Sequence, residues 1–195
     1  MLMLETKADL RARMRAERKR LKLALPDAGR DVVQGVHALL GSMTFVPHVV
    51  ALYLPLGSEM DTAPLAAELR RRDLKLALPR VDVANAPMSF RAWTPGDPVG
   101  PDEQGCSAPL ATAEIVEPDL FIVPLVAFDR TGGRLGQGGG YYDRTLAALS
   151  GHRRPEFVGL AYCGQEVPRV PMDPHDQKLD GILTERGYMP ARKDA

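Results

Sequence analysis

The apolar positions of the chain follow two rhythms, one helical and one extended, that alternate along its length. Between Glu5 and Leu25, Leu10, Met14, Leu21 and Leu25 recur at helical spacing in a polar segment, which predicts an amphipathic helix packed on the body of the protein. After a turn at Pro26-Asp27-Ala28-Gly29, Val32, Val36, Leu39 and Leu40 predict a second helix over 31–40. Val49-Val50-Ala51-Leu52-Tyr53-Leu54 is a nearly continuous apolar run ended by Pro55, the pattern of a strand buried on both faces. Asp61 or Thr62 can cap the next helix, with Pro64 tolerated in its first turn. Leu74 to Leu78 reads as a strand stopped by Pro79, and Met88 to Trp93 alternates like an edge strand. Residues 94–118 form a long Pro-, Gly- and acid-rich connection, a kind that is more often functional than decorative. Leu120 to Phe128 is again apolar, interrupted by Pro124; a glycine loop, a helix over 142–149 and a strand over 157–163 follow. Alternating strands and helices predict one three-layer α/β domain over 1–195 with a mostly parallel sheet.

Composition narrows the function classes. The 195 residues are 45% hydrophobic and 26% charged, enough apolar surface for a real core, and 25 basic residues balance 25 acidic ones. No global field therefore favours nucleic acid or a membrane surface. Cys106 and Cys163 belong to no CxxC or Cys/His cluster, and no apolar run reaches a membrane span or forms a secretory leader; the expectation is a cytoplasmic protein without zinc or disulfides. The charge is nonetheless uneven. Between Glu5 and Lys22 the local sum is +5 and elsewhere it is −5. That helix can be a solvated basic face, a nucleic-acid or membrane attachment, or a cationic wall beside a phosphate site. Nucleic-acid binding would require aromatic interleaving or a wider basic surface, and neither is present between Glu5 and Lys22.

Residues 132–144 read GGRLGQGGGYYDR, so six of eighteen glycines fall within nine residues, after an apolar strand and before a helix. In an open α/β sheet ligands gather at the carboxyl ends of strands, where a helix start offers unpaired N–H groups and a positive dipole end. Glycine lets a phosphate approach the main chain and permits the positive φ angles that curl consecutive amides around an anion. Neither familiar phosphate fingerprint is met. No Gly-Lys pair occurs for a Walker A loop, and Tyr141 stands where GxGxxG requires its third glycine. A flexible loop without a ligand is the bland alternative, but Tyr141, Tyr142, Asp143 and Arg144 follow at once. They offer a ring to stack, a carboxylate for Mg²⁺ and a guanidinium for a second anion. Asp143 can equally serve only as a charge at a helix N-terminus.

These residues resemble the 5-formyltetrahydrofolate cyclo-ligase family, also called methenyltetrahydrofolate synthetases. The resemblance rests on RLGQGGGYYDR, and Lys7-Ala8-Asp9-Leu10-Arg11, Tyr53-Leu54 with Glu59, Trp93 and His175-Asp176-Gln177-Lys178-Leu179-Asp180 fall in the family's order. It implies a Rossmann-like α/β/α domain and an ATP- and Mg²⁺-dependent conversion of 5-formyltetrahydrofolate to 5,10-methenyltetrahydrofolate, with ADP and phosphate released. By the same resemblance the basic helix, about 5–25, belongs to the ATP site through Lys7 and Arg11. Arg134, Leu135, Gly136, Gln137, Gly138, Gly139, Gly140, Tyr141 and Tyr142 line the nucleotide, with 137–141 also facing the folate. Leu54, Glu59 and Trp93 contact the pterin, Asp143 and Asp176 hold magnesium, and Arg134, Tyr141 and Arg144 act on the reacting groups. The partners implied are ATP and a reduced folate bound by a monomer.

Two departures bear on this. Many relatives carry Glu-Pro where this chain has Ala108-Pro109, and some carry basic residues at positions 137 and 139, for which Arg134 and Arg144 can compensate. Glu59 follows an apolar strand and a Pro55-Leu56-Gly57 turn, so it is expected on the glycine-loop rim, either accepting N–H donors of a pterin or simply exposed. His37, His48, His152 and His175 fit surface or structural positions, and Asp180 ranks behind Asp176 as a metal ligand. A binding module without turnover is the reading from another class; it would keep Glu59 and the glycines but could dispense with Asp143 and Asp176.

Overall fold

The structure, a computed structural model, describes residues 5–149 and 154–192; His152 lies outside them. Helix α1 (Lys7–Ala24) is capped by Thr6, whose hydroxyl accepts the Asp9 N–H, and is followed by α2 (Ala28–Asp31), a 3₁₀ turn (Val32–Gly35) and α3 (Val36–Ser42). Then come β1 (Val49–Ala51), α4 (Ala63–Arg71), β2 (Lys75–Arg80), β3 (Ser89–Ala92), β4 (Val99–Pro101) and β5 (Ser107–Pro109). The second half holds β6 (Leu120–Pro124), β7 (Ala127–Phe128), β8 (Arg134–Leu135), α5 (Tyr141–Ala148), β9 (Glu156–Leu160), a 3₁₀ turn (Cys163–Gln165), β10 (Gly181–Thr184) and β11 (Gly187–Pro190).

Seven strands form one sheet in the order β11-β10-β9-β6-β1-β2-β3, parallel from β10 to β2, with antiparallel β3 and β11 at the edges. The fold is thus a three-layer α/β arrangement with a mostly parallel sheet. Period-two alternation sorts each inner strand between two cores. Val50, Leu76, Leu78, Leu120 and Ile122 face the layer of α2, α3 and α4, where they meet Val32, Val36, Leu39, Leu65 and Leu69. Ala51, Ala77, Phe121, Val123 and Phe157 face the layer of α5 and pack with Leu146. Phe121 and Phe157 stack there with centroids 4.5 Å apart, and Phe90 meets Phe121 edge-on at 4.9 Å. A third cluster seats the first half of α1, through Leu10 and Met14, on Val126, Ala127, Leu135, Val167 and Val170.

Several expected boundaries move, each for a local reason. β2 continues through Pro79, which lies opposite Phe90 of β3. β1 pairs only as far as Ala77, so beyond it one edge of β2 has no ladder and a residue lacking N–H is tolerated. The expected strand 120–128 breaks at Pro124 into β6 and the small β7–β8 hairpin. The helix expected over 31–40 is three short pieces spanning 28–42. β10 and β11 carried no signal strong enough to be expected: Gly181 and Gly187 leave too few side chains for a recognisable alternation. Among the described residues no helix is long and apolar enough to cross a membrane.

Candidate active site

The carboxyl ends of the central strands open on a cavity of about 610 Å³. Tyr53 and Leu54 beyond β1, Leu78, Pro79 and Val81 at the end of β2, and Pro124 at the end of β6 form its floor. Residues 134–143 form one wall and α1 contributes Lys7 and Arg11. The long connection after β3 folds back as the β4–β5 hairpin and adds Asp102, Gln104, Cys106 and Ser107. Asp102 clamps that hairpin: its Oδ2 accepts the Val81 N–H at 3.1 Å and its Oδ1 accepts the Gln104 and Cys106 N–H groups at 2.9 and 3.0 Å.

The glycine loop is shaped before its glycines begin. Asp129, buried, accepts the Thr131 N–H and hydroxyl at 2.8 Å each, the Gly133 N–H at 3.1 Å and the Val170 N–H at 2.8 Å. Burial works to raise its pKa, but these hydrogen bonds outweigh it and hold the carboxyl below the ordinary aspartate value. The turn so fixed delivers Arg134 and Leu135, both buried, into β8. Gly138 then takes φ +106° and Gly140 φ +66°, which only glycine adopts without strain. Gly140 is the N-cap of α5 and supplies no side chain to its first turn, so those N–H groups lie open to an anion.

Two cations of the distant helix α1 meet this loop, which carries a third of its own. Arg11 donates from Nε to the Gly136 carbonyl at 3.0 Å, and Arg15 donates to the Gln137 side chain and carbonyl at 2.9 and 3.1 Å. Arg134 is almost wholly enclosed: its Nη2 donates to Asp143 Oδ1 at 2.5 Å, while its buried Nε has no partner. Leaving such a donor unpaired costs roughly 1–3 kcal/mol. Lys7 bridges Asp173, at 2.6 Å, and Asp176. Burial alone would lower its pKa, yet the two carboxylates hold it above the ordinary lysine value; Asp176, resisting burial through the Asp173 N–H and Lys7, is held below the ordinary aspartate value.

Asp143 and Asp176 reach the cavity side by side, since the Gln177 N–H donates to Asp143 at 3.1 Å. Among the described residues no group of three or more His, Cys, Asp or Glu converges as a preformed metal cage. Two partly exposed carboxylates nevertheless fit Mg²⁺, which binds through one or two carboxylates and completes its shell with phosphate oxygens and water.

Glu59 is not an exposed glutamate: its side chain is 5% accessible, yet it lines the cavity. Its Oε2 accepts the Leu56 N–H at 2.9 Å and its Oε1 lies 3.5 Å from the Arg18 guanidinium. Tyr142, raised in pKa by burial and by the nearby Glu59 charge, also lines the cavity and is a protonated donor at neutral pH.

Every other expected nucleotide, folate and metal residue borders this cavity except Trp93 and Arg144. Trp93 packs on the core and donates its backbone N–H to Leu76, near the start of β2. β3 runs antiparallel to β2, so its last residues lie at the opposite end of the sheet from the cavity; Met88, before its first residue, reaches the rim instead. Arg144 is not among the lining residues: it lies over the Tyr141 ring at 4.7 Å and donates to the Gly139 carbonyl at 2.8 Å, while its buried Nε has no partner. Near positions 137 and 139 the loop also meets Arg11 and Arg15 of α1, through Gly136 and Gln137. Asp180 binds Arg154 and the Phe157 N–H, away from the cavity, and His37, His48 and His175 are exposed. Ala108 is buried in β5 and is not among the cavity-lining residues.

The protein is thus of the three-layer α/β class, with a glycine-rich loop, an enclosed arginine and two carboxylates gathered in one cavity at the carboxyl edge of its sheet. The model of the 5-formyltetrahydrofolate cyclo-ligase family matches residues 3–185. A 5-formyltetrahydrofolate cyclo-ligase of Escherichia coli K12 is 32% identical, over 86% of this chain and 95% of its own, and one of Mycolicibacterium smegmatis is 29% identical over 96% and 98%. The solved structure of an Aquifex aeolicus 5,10-methenyltetrahydrofolate synthetase superimposes with TM-score 0.74 at 31% identity, covering 97% of this chain and 94% of that one. The chain belongs to the 5-formyltetrahydrofolate cyclo-ligase family of enzymes.

Sequence reasoning marked the 94–118 connection but did not single out Asp102, Gln104, Cys106 and Ser107 within it, nor Met88 and Asp173 at the cavity or Arg18 behind Glu59. Arg18 had a readable signal: it occupies the buried stripe Leu10-Met14-Arg18-Leu21, where an arginine is out of place unless paired.

Proposed function

We propose that the chain converts 5-formyltetrahydrofolate to 5,10-methenyltetrahydrofolate at the expense of ATP, with Mg²⁺, releasing ADP and phosphate. An amide oxygen is a poor leaving group in neutral water, and transfer of the γ-phosphoryl group solves this. The formyl oxygen attacks the γ-phosphorus, the bond to the β-phosphate oxygen breaks, and ADP departs. The resulting N5-iminium phosphate carries an electrophilic carbon. N10 attacks it, loses its proton as the ring closes, and phosphate leaves.

Such chemistry asks the protein for positioning and charge neutralisation more than for proton transfer. The amides of 136–140 and the open first turn of α5 would cradle the phosphates, with Arg11, Lys7 and Arg134 as cations. Asp143 and Asp176 would hold magnesium, which when bound draws charge from the phosphate oxygens. Lys7, which pairs with Asp173 and Asp176 at the cavity, would be a further cation beside the phosphates. Glu59 would accept the paired N–H donors of the 2-amino-pyrimidinone edge of the pterin, with Leu54, Met88 and Tyr142 around the ring. One chain supplies all these groups, so a monomer suffices.

The observation that carries the reading is the enclosed, half-paired Arg134 guanidinium, set between the glycine cradle and Asp143 in one cavity with Glu59. The test mixes purified protein, ATP, Mg²⁺ and 5-formyltetrahydrofolate and follows methenyl absorbance and ADP together. One ADP per methenyl product is expected, with loss of turnover when Mg²⁺ is chelated. Product without ATP, or no product at any ATP concentration, would overturn the proposal.

A further inference from the structure

Glu59 is held at the cavity by a second residue that does not face the cavity. Arg18 projects from the buried stripe of α1, its side chain 5% accessible, and it is the one basic residue of that helix enclosed in this way. Its Nη1 donates to the Leu125 carbonyl at 3.0 Å, just beyond β6, and its Nε donates to Ser58 Oγ at 3.1 Å. Gln165 reinforces the same anchor, donating from Nε2 to the Leu125 and Val126 carbonyls at 3.0 and 2.9 Å. With two of its edges so fixed, the guanidinium stands 3.5 Å from Glu59 Oε1, while the Leu56 N–H holds Oε2.

An arginine in a helix stripe otherwise made of Leu10, Met14 and Leu21 forfeits hydration that only specific partners return. Here those partners are the loop that carries Glu59 and the strand end beside it. We infer that Arg18 is a positioning residue for the folate half of the site: it fixes the Glu59 carboxylate, correctly turned, to receive the pterin. The inference rests on the proposed folate role of Glu59. It also gives α1 two duties, since Lys7 and Arg11 line the cavity beside the glycine loop while Arg18 reaches Ser58 and Glu59.

The test compares Arg18→Met, Arg18→Lys, Glu59→Gln and the Arg18→Met/Glu59→Gln double variant. Readouts are KM for 5-formyltetrahydrofolate, KM for ATP, kcat, and calorimetric binding of the folate and of an ATP analogue. Arg18→Met is expected to weaken folate binding about tenfold or more, the scale for truncating one partner of an enclosed charge pair, with ATP-analogue binding unchanged. Arg18→Lys should recover part of the loss. In the Glu59→Gln background the Arg18 change should add nothing further, because its effect passes through that carboxylate. Equal loss of folate and analogue binding, failure to fold in both Arg18 variants, or full additivity in the double variant would overturn the positioning role. A wild-type protein that binds no folate would instead remove the proposed function beneath it, a separable result.

Discussion

Replacing Arg134 by alanine removes the most enclosed cation of the cavity and isolates what the anion cradle does without it. The side chain is 4% accessible, donates one hydrogen bond to Asp143 and leaves its Nε free. A preorganised donor aimed at developing charge contributes about 2.7–4 kcal/mol, so turnover at saturating ATP and Mg²⁺ should fall about 10²- to 10³-fold. Stability should suffer much less. Asp143 keeps the Gln177 N–H and a quarter of its surface in water, so loss of the pair costs only about 1 kcal/mol. Arg134→Lys should recover a minor part, because an ammonium supplies charge without the fork that reaches Asp143 and a phosphate together. The assay is methenyl absorbance under single-turnover conditions, alongside a thermal melt to show that the variant is folded. A folded Arg134→Ala protein turning over at nearly the wild-type rate would refute the reasoning, because the unpaired Nε would then have no use.

Gly138→Ala should raise KM for ATP about tenfold or more, since a side chain at φ +106° costs roughly 1–3 kcal/mol and 1.4 kcal/mol is tenfold; unchanged ATP binding would count against the cradle. Asp129→Asn should cost about 3 kcal/mol, read as a drop of roughly 6–12 °C in melting temperature, because one of four donors then faces an amide N–H. The folded pKa of Asp129 is depressed, so its stabilisation is complete above the ordinary aspartate value of about 3.9 and is lost as pH falls through the folded value. Acid melts of Asp129→Asn should therefore have a shallower slope below that pH, and equal slopes would deny Asp129 the role. Trp93→Phe should leave folate KM unchanged, as the ring lies at the far end of the sheet; a large rise would restore it to the substrate wall.

The sequence by itself determined the layered α/β class, because buried strands read as unbroken apolar runs and α1 and α4 carry clear helical periods. It also marked the glycine loop, since a cluster of residues without side chains before a helix has few uses other than admitting a ligand to the main chain. Local signals could not convey direction. Trp93 and Met88 bracket the same short strand, and only its antiparallel pairing decides which one reaches the cavity. Arg144 follows the loop immediately but turns back on Tyr141, whereas Arg11 and Arg15, more than a hundred residues earlier, meet it. Arg18 and Glu59 are 41 residues apart in numbering and become one ion pair because α1 crosses the ends of β1 and β6. Side chains brought together from separate elements share no pattern along the chain; the packing of α1 on the sheet edge creates their proximity, and with it the choice of which charges are enclosed.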